Sequence, residues 1–297
     1  MPMSLGSYAS RVVATLVVAT DGTGDYTDIQ TAIDNLPATG GCIYVKEGTY
    51  TITASITITS SNVSIIGCGA GTIIYVDDSA DINALVVGNG VNAYRNIFLS
   101  QFKIDGNSAN QGVDKYGIYF RAFITDSIIN VVWVDDFKGK GIRIYNECKY
   151  NIIDSCIIRD STGMAIEIVD GCEQNTITNC QVVSNSQGIV IDDGSQYTTI
   201  GHNRCSQNTY DGIWINSDRA IIINNICIVN GDNGIEIHDA DRTIINGNSL
   251  FLNGDTGIAL GAVTSQTIVT DNQAYQNTVS QITDGGAGND VSHNITA

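Results

Sequence analysis

A chain of 297 residues with only 15% charged residues and a formal net charge of −17 lacks the clustered Lys and Arg that phosphate contacts need, which excludes a general nucleic-acid binder. No stretch approaches the roughly 18 apolar residues of a membrane span, so no membrane partner is expected. No motif for an organic cofactor is present. Ile and Thr suit strands, while Asn, Asp and the 31 glycines suit turns, and only 2 prolines interrupt them, so the composition reads as all-β.

The first apolar run, Val12 to Ala19, follows Arg11, as a signal peptide would. It continues directly into Thr20-Asp21-Gly22 and is read here as a first strand. Ile29 to Leu36 has helical spacing and stops at Pro37, which predicts a helix over residues 27–36. Residues 1–40 are therefore read as a strand and a capping helix, and 41–297 as the main body.

From about residue 117 a motif recurs. Gly117-Ile118-Tyr119-Phe120 and Gly141-Ile142-Arg143-Ile144 are followed by Ala165-Ile166-Glu167-Ile168, Gly188-Ile189-Val190-Ile191, Gly212-Ile213-Trp214-Ile215, Gly234-Ile235-Glu236-Ile237 and Gly257-Ile258-Ala259-Leu260. The period is about two dozen residues, as in solenoid proteins. A second series runs in phase: Cys156, Cys180, Asn203, Asn225, Asn248, Asn272, Asn294. A third reads Asn185, Asn208, Asn230, Asn253, Asn277. One unit of alternating apolar residues cannot bury its inward face alone, but stacked units can. This predicts a single-stranded right-handed parallel β-helix of about 10–11 rungs, with stacked Asn side chains bonding from turn to turn. The glycine before each strand suits a bend that no side chain tolerates. A solenoid end exposes strand edges, so the helix serves as an N-terminal cap; the C-terminal end has no obvious cap, and an oligomer contact could cover it.

The 8 cysteines follow the same period: Cys42/Cys68, Cys148/Cys172, Cys156/Cys180 and Cys205/Cys227 are each about one coil apart. They are expected to stack as small hydrophobes with free thiols, since parallel side-chain vectors suit a disulfide poorly.

Val17 to Gln30, with Asp21-Gly22-Thr23-Gly24-Asp25-Tyr26, and then Ile43-Tyr44-Val45-Lys46-Glu47-Gly48-Thr49-Tyr50 resemble the opening of pectin methylesterases. The glutamine and aspartate motifs of that active site have no counterpart further along, so esterase activity is not implied. Phe102-Lys103-Ile104-Asp105-Gly106-Asn107 and the repeats are similar to mannuronan C-5 epimerase modules and phage tail-spike β-helices. The Asp-Pro-His motif of the epimerases is missing at Gly141-Ile142-Arg143-Ile144-Tyr145. Asp192-Asp193 echoes polygalacturonases, without their Gly-His-Gly. The resemblance implies a pectin-lyase-like fold, a polysaccharide partner, and an extracellular or virion-associated setting.

The repeat turns scattered residues into outward columns: Tyr119, Arg143, Glu167, Val190, Trp214, Glu236, Ala259; then Arg121, Tyr145, Val169, Asp192, Asn216, His238, Gly261; then Ala122, Asn146, Asp170, Asp193, Ser217, Asp239, Ala262. His238, Asp192, Glu236 and Arg143 are the expected catalytic groups, the first three as an acid/base cluster and Arg143 to neutralise a sugar carboxylate. Trp214, Tyr119, Tyr145, Asn216, Glu167 and Arg121 are the expected substrate contacts. Asp170, Asp192 and Asp193 could share a calcium ion. Glu167 and Glu236 lie three rungs apart, too far for a hydrolase pair, which favours lyase or epimerase chemistry on a uronate polymer such as alginate or pectin. A non-catalytic glycan-binding or virion-surface β-helix, or a purely structural rod, remain the alternatives, because the fold alone does not choose among them. Repeats this short leave little room for long loops.

Overall fold

The computed structural model describes residues 15–296. It is a parallel β-solenoid of about 12 turns, one or two more than the repeat suggested. The extra turns come from the N-terminal region, where the motif is absent but the strands are not. Leu16–Val18 pairs in parallel with Gly41–Val45, so the first strand belongs to the solenoid itself; the part of the early apolar run before residue 15 lies outside the described residues.

Each coil contributes strands to three faces. One face is a sheet of 10 strands from Ile56–Ile58 to Ser280–Asp284. The other two faces meet where Phe98–Asp105 and Ile128–Asp135 run through a corner as unbroken strands. All these strand pairs are parallel, and their alternate residues point inward as a column of Ile and Val. The repeats pair in the expected register: Tyr119 lies against Arg143, Arg143 against Glu167, Glu167 against Val190, Val190 against Trp214, and Trp214 against Glu236.

The helix is shorter than expected, Ile29–Asp34, with Asp28 as its N-cap accepting from the N–H of Thr31 at 2.7 Å. It buries Ile29, Ala32 and Ile33. Gln30 donates to the carbonyl of Thr57 and accepts from its N–H, so the helix covers the free edge of the first strand of the ten-stranded face.

The corners carry the fold's distinctive chemistry. A residue with left-handed φ turns the chain, and the next residue points into the core. His202–Asn203, Asn224–Asn225 and Asp271–Asn272 follow this pattern, as do Val229–Asn230 and Leu252–Asn253. Asn225 shows the bonding. Its Oδ1 accepts from the N–H and the Nδ2 of Asn203 at 2.9 and 3.0 Å. Its own N–H and Nδ2 donate to Oδ1 of Asn248 at 2.8 and 3.0 Å, and Nδ2 also reaches the carbonyl of Ile200 at 2.9 Å. The Asn185 to Asn277 series bonds in the same way. The third corner has a mixed ladder, Ser127, Asn151 and Asn175, which is hard to see in the sequence because its occupant changes.

The glycines before the repeat strands are needed for space, not for φ. A Cβ on Gly212 would lie 2.7 Å from the carbonyl oxygen of Gly234, and one on Gly234 2.7 Å from that of Gly257. Cys148/Cys172, Cys156/Cys180 and Cys205/Cys227 sit on successive coils, and all 8 thiols are free. Cys42 and Cys68 do not stack. Cys42 pairs with Ser64, because the local coil closes before it reaches Cys68, and Cys68 Sγ lies 3.0 Å from the hydroxyl of Tyr44.

Removing Asn225 by Asn225→Ala leaves several buried donors and acceptors unpaired and is expected to cost about 3 kcal/mol or more. At the exposed left-handed residue before the next ladder position, Val229→Asn is expected to raise stability by about 1 kcal/mol, since Asn tolerates this conformation and a β-branched side chain does not. Urea denaturation midpoints check both. A lower midpoint for Val229→Asn would contradict the strain argument.

Candidate functional site on the ten-stranded face

The first outward column pairs coil by coil as expected, but Val190, Val169, Ala122 and Ser217 of the three columns are buried, and the structure divides the functional candidates into two separate groups. The first is built around Arg143. Its Nη1 donates to the hydroxyl of Tyr116 at 2.9 Å. The guanidinium carbon lies 5.2, 5.9 and 4.7 Å from the ring centres of Tyr116, Tyr119 and Tyr145, a geometry that favours cation–π attraction. Nε lies 2.7 Å from Oε2 of Glu167 in an ion contact without hydrogen-bond angles, and Lys140 approaches the same oxygen to 3.3 Å. Glu167 is 7% exposed. Arg143 is thus held by a buried carboxylate and three phenol rings, and its charge is already paired. Glu167, expected as a sugar contact, serves to hold Arg143 and Lys140. Burial raises the pKa of the Tyr119 phenol, with Arg143 and Arg121 opposing it.

The second group lies further along the face. The rings of Trp214 and His238 stack, 5.6 Å between centres and 30° apart. His238 Nδ1 lies 3.2 Å from Oε1 of Glu236. The other oxygen of Glu236 accepts from Asn233 Nδ2 at 3.3 Å, and the same nitrogen donates to Asp211 Oδ1 at 3.0 Å. Gln187 donates to the second oxygen of Asp211 at 3.1 Å. Burial first, and the charge of Glu236 second, push the pKa of Asp211 up to about 6. Asp211 and Asn233 escape the sequence reading because they precede the glycine of each repeat, one step before the columns. The buried polar position before each Gly-Ile is the signal that could have found them.

Four ladder steps separate Arg143 from Glu236, about 19 Å at the interstrand spacing. Arg143 therefore cannot neutralise a carboxylate at a sugar whose proton His238 takes. Asp192 does not join His238 either. Its Oδ1 accepts from Asn216 Nδ2 and from the N–H of Asp193, both at 2.8 Å, which makes it a turn former with Asn216 as its partner. Asp170 and Asp193 are exposed left-handed corner residues. Among the described residues no group of three or more His, Cys, Asp or Glu is placed to hold a metal ion, so the geometry does not gather Asp170, Asp192 and Asp193 into a calcium site. Trp214 is half-buried rather than open, since His238 covers one of its faces.

The face is also electrically uneven. Arg121, Lys140 and Arg143 stand at its N-terminal end with Glu167 among them. Asp192, Asp211, Glu236 and Asp239 stand towards the other end, where His238 is the sole basic side chain of the columns.

The fold class follows from this architecture, and sequence comparison agrees. The family model described as "Right handed beta helix region" matches residues 41–204 and 174–296, and the chain belongs to that family. Among solved structures it is similar to ORF18 of Geobacillus virus E2 (17% identity, TM-score 0.72, covering 90% of this chain and 57% of that one). It is also similar to the A-module of the Azotobacter vinelandii mannuronan C-5 epimerase AlgE4 (17% identity, TM-score 0.66, covering 89% and 94%). The Dettilon tailspike protein is a third (18% identity, TM-score 0.75, covering 94% and 60%). The chain therefore spans somewhat under two thirds of the viral proteins and nearly all of the epimerase module. At these identities the likeness establishes the fold. No curated protein matches the chain in sequence.

Asp211 gives a pH test. Its folded-state pKa is raised above the ordinary carboxylate value of 3.8, so its protonated form is favoured by folding. The associated stability is complete below about pH 4 and is lost as pH rises through about 6, with a total of about 3 kcal/mol. Asp211→Asn is expected to flatten that decline, with Gln187 turning its oxygen toward the new amide. Urea midpoints between about pH 4 and pH 8 read the difference; parallel declines in both proteins would rule the assignment out.

Proposed function

We propose that this protein is a carbohydrate-active β-helix that engages an acidic polysaccharide along the ten-stranded face and acts on it as a lyase or an epimerase. The observation that carries this reading is the Trp214–His238–Glu236 unit. An exposed imidazole is oriented by a carboxylate at Nδ1, and its Nε2 has no hydrogen-bond partner among the described residues, beside an aromatic platform. Removing the proton next to a uronate carboxyl needs such a base. The similarity to the mannuronan epimerase module and the tailspike supports carbohydrate as the partner. Asn233 and Asp211 act through Glu236 and are positioning residues.

The cationic neutraliser of a sugar at His238 would have to come from outside the set named in the sequence, because Arg143 is paired and distant. This observation favours a second reading, in which the face binds an acidic glycan without cleaving or epimerising it.

Polymannuronate, polyguluronate and polygalacturonate, each incubated with and without calcium, would separate these readings. Unsaturated ends report a lyase, and solvent deuterium at C5 reports an epimerase. His238→Ala is expected to lose about 100-fold or more of the rate. Trp214→Ala is expected to weaken binding about 5-fold, as the loss of one ring contact implies. Binding without turnover selects the second reading, and neither binding nor turnover on any polymer removes both.

A further inference from the structure

The coils are not equally regular. From residue 118 onward each takes about two dozen residues, the period of the repeat. Before that, Ile56 pairs with Leu85 and Leu85 with Ile118, so two successive coils are distinctly longer. In the second of them the extra chain forms the loop at 88–92 and the segment at 106–116, and in the first it lies at 67–71 and 77–84. Loops long enough to shape a site, which the short repeats deny elsewhere, are concentrated at the first three strands of the ten-stranded face.

The start of the loop at 88–92 borders a cavity of about 350 Å³ on that face, within the size range of small-ligand sites. Thr57 of its first strand and the flanking Ser55 and Thr59 supply hydroxyl groups, that of Thr57 donating to the Ser55 carbonyl at 3.4 Å and remaining an acceptor, and Tyr119 and Arg121 close the side next to the tyrosine cluster. Asn83 and Asn89 complete the wall. The oxygen of Asn83 accepts from the N–H of Tyr116 at 3.0 Å, and that of Asn89 from the N–H groups of Val91 and Asn92, both at 2.9 Å. Both carboxamides have thus committed their acceptor to the backbone, and their NH2 groups have no partner among the described residues. Arg121 has no ion pair or hydrogen bond among the described residues either. Its guanidinium lies against Gly90, where a Cβ would approach Nε to 3.0 Å. A cavity whose free groups are an unpaired guanidinium, two amide donors and the hydroxyls of Ser55 and Thr59, in a chain of net charge −17, is built for an acceptor-rich anion.

We infer that this cavity is a subsite for one carboxylate-bearing sugar, with the carboxylate on Arg121, the sugar hydroxyls on Asn83, Asn89 and Thr57, and the ring against Tyr119. The inference rests on the ten-stranded face being the glycan surface, but not on any reaction at His238. It places the acidic unit at the cationic end of the face, and it separates anion recognition from the imidazole by five ladder steps.

Isothermal titration of the full chain with trigalacturonate, maltotriose and a sulfated trisaccharide tests it. Trigalacturonate is expected to bind, and maltotriose to bind at least about 10-fold more weakly. Arg121→Gln is expected to weaken trigalacturonate about 10-fold or more, Arg121→Lys less, and Arg204→Gln, at an exposed arginine on another face, not at all. Melting curves of the variants confirm that the exposed Arg121 can be replaced without loss of fold. Undiminished binding by Arg121→Gln, while Trp214→Ala still weakens longer polymers, overturns the subsite and leaves the face intact. Equal or tighter binding of the sulfated trisaccharide overturns the carboxylate assignment. Absence of binding by every uronate, oligomer or polymer, overturns the glycan reading of the face and the subsite with it.

Discussion

A parallel solenoid must turn its backbone several times per coil, and each corner points an N–H into a core that has no water to receive it. The buried asparagine ladders meet this constraint. Within a ladder, as at Asn225, the side-chain oxygen takes two donors from the neighbouring coil and the amide nitrogen returns two bonds, so a hydrogen-bonded polar column runs through the interior. The ladder works only if consecutive corners stay in phase, and that requirement holds the repeating coils to a nearly constant length and every strand to one register. It also explains why left-handed residues such as Val229 and Leu252 are tolerated at exposed corners: the fully bonded asparagine that follows offsets the local strain.

The same phasing determines what the surface can do. Strands that cannot shift present their outward residues in straight columns with a repeat of about 4.8 Å, so side chains far apart in the chain become neighbours in pairs. Trp214 meets His238 this way, and Asn233 meets Asp211. The regularity that makes such pairs also keeps the wall flat. Concavity arises where the coils lengthen, at the first strands of the face, and that is where an uncompensated cation stands. Aromatic stacking, a carboxylate-oriented imidazole and an unpaired guanidinium therefore occupy different stations along one surface, as suits an extended ligand better than a compact one.

Much of this is legible in the chain itself. The Gly-Ile-x-Ile spacing specifies the register of seven consecutive coils without a slip, because a one-residue error would turn every isoleucine outward. The Asn203 to Asn294 series is visible because one residue type does one job at every coil. The ladder through Ser127, Asn151 and Asn175 is not, since different side chains fill the same role there. Cys42 and Cys68 look stacked because their interval is close to the general period, whereas the local coil closes earlier, at Ser64. Asp211 escapes because it stands before the glycine, outside the alternating positions that pattern reading follows.

Amino-acid order alone was enough for the solenoid, its inward face, two of its polar ladders and the first outward column, since all of these follow from a period and an alternation; the third column fails at Ala122 and Ser217, which are buried at the corner. It could not say which members of a column touch. Column neighbours are chosen by side-chain length, rotamer and charge: Arg143 turns to Glu167 and the tyrosines, His238 turns to Glu236 instead of Asp192, and Asp192 turns to Asn216. Those choices are settled by the three-dimensional packing of neighbouring coils, including the two long coils that carry no motif. Hence a single expected catalytic set became two separate groups and a cavity that no repeat announced.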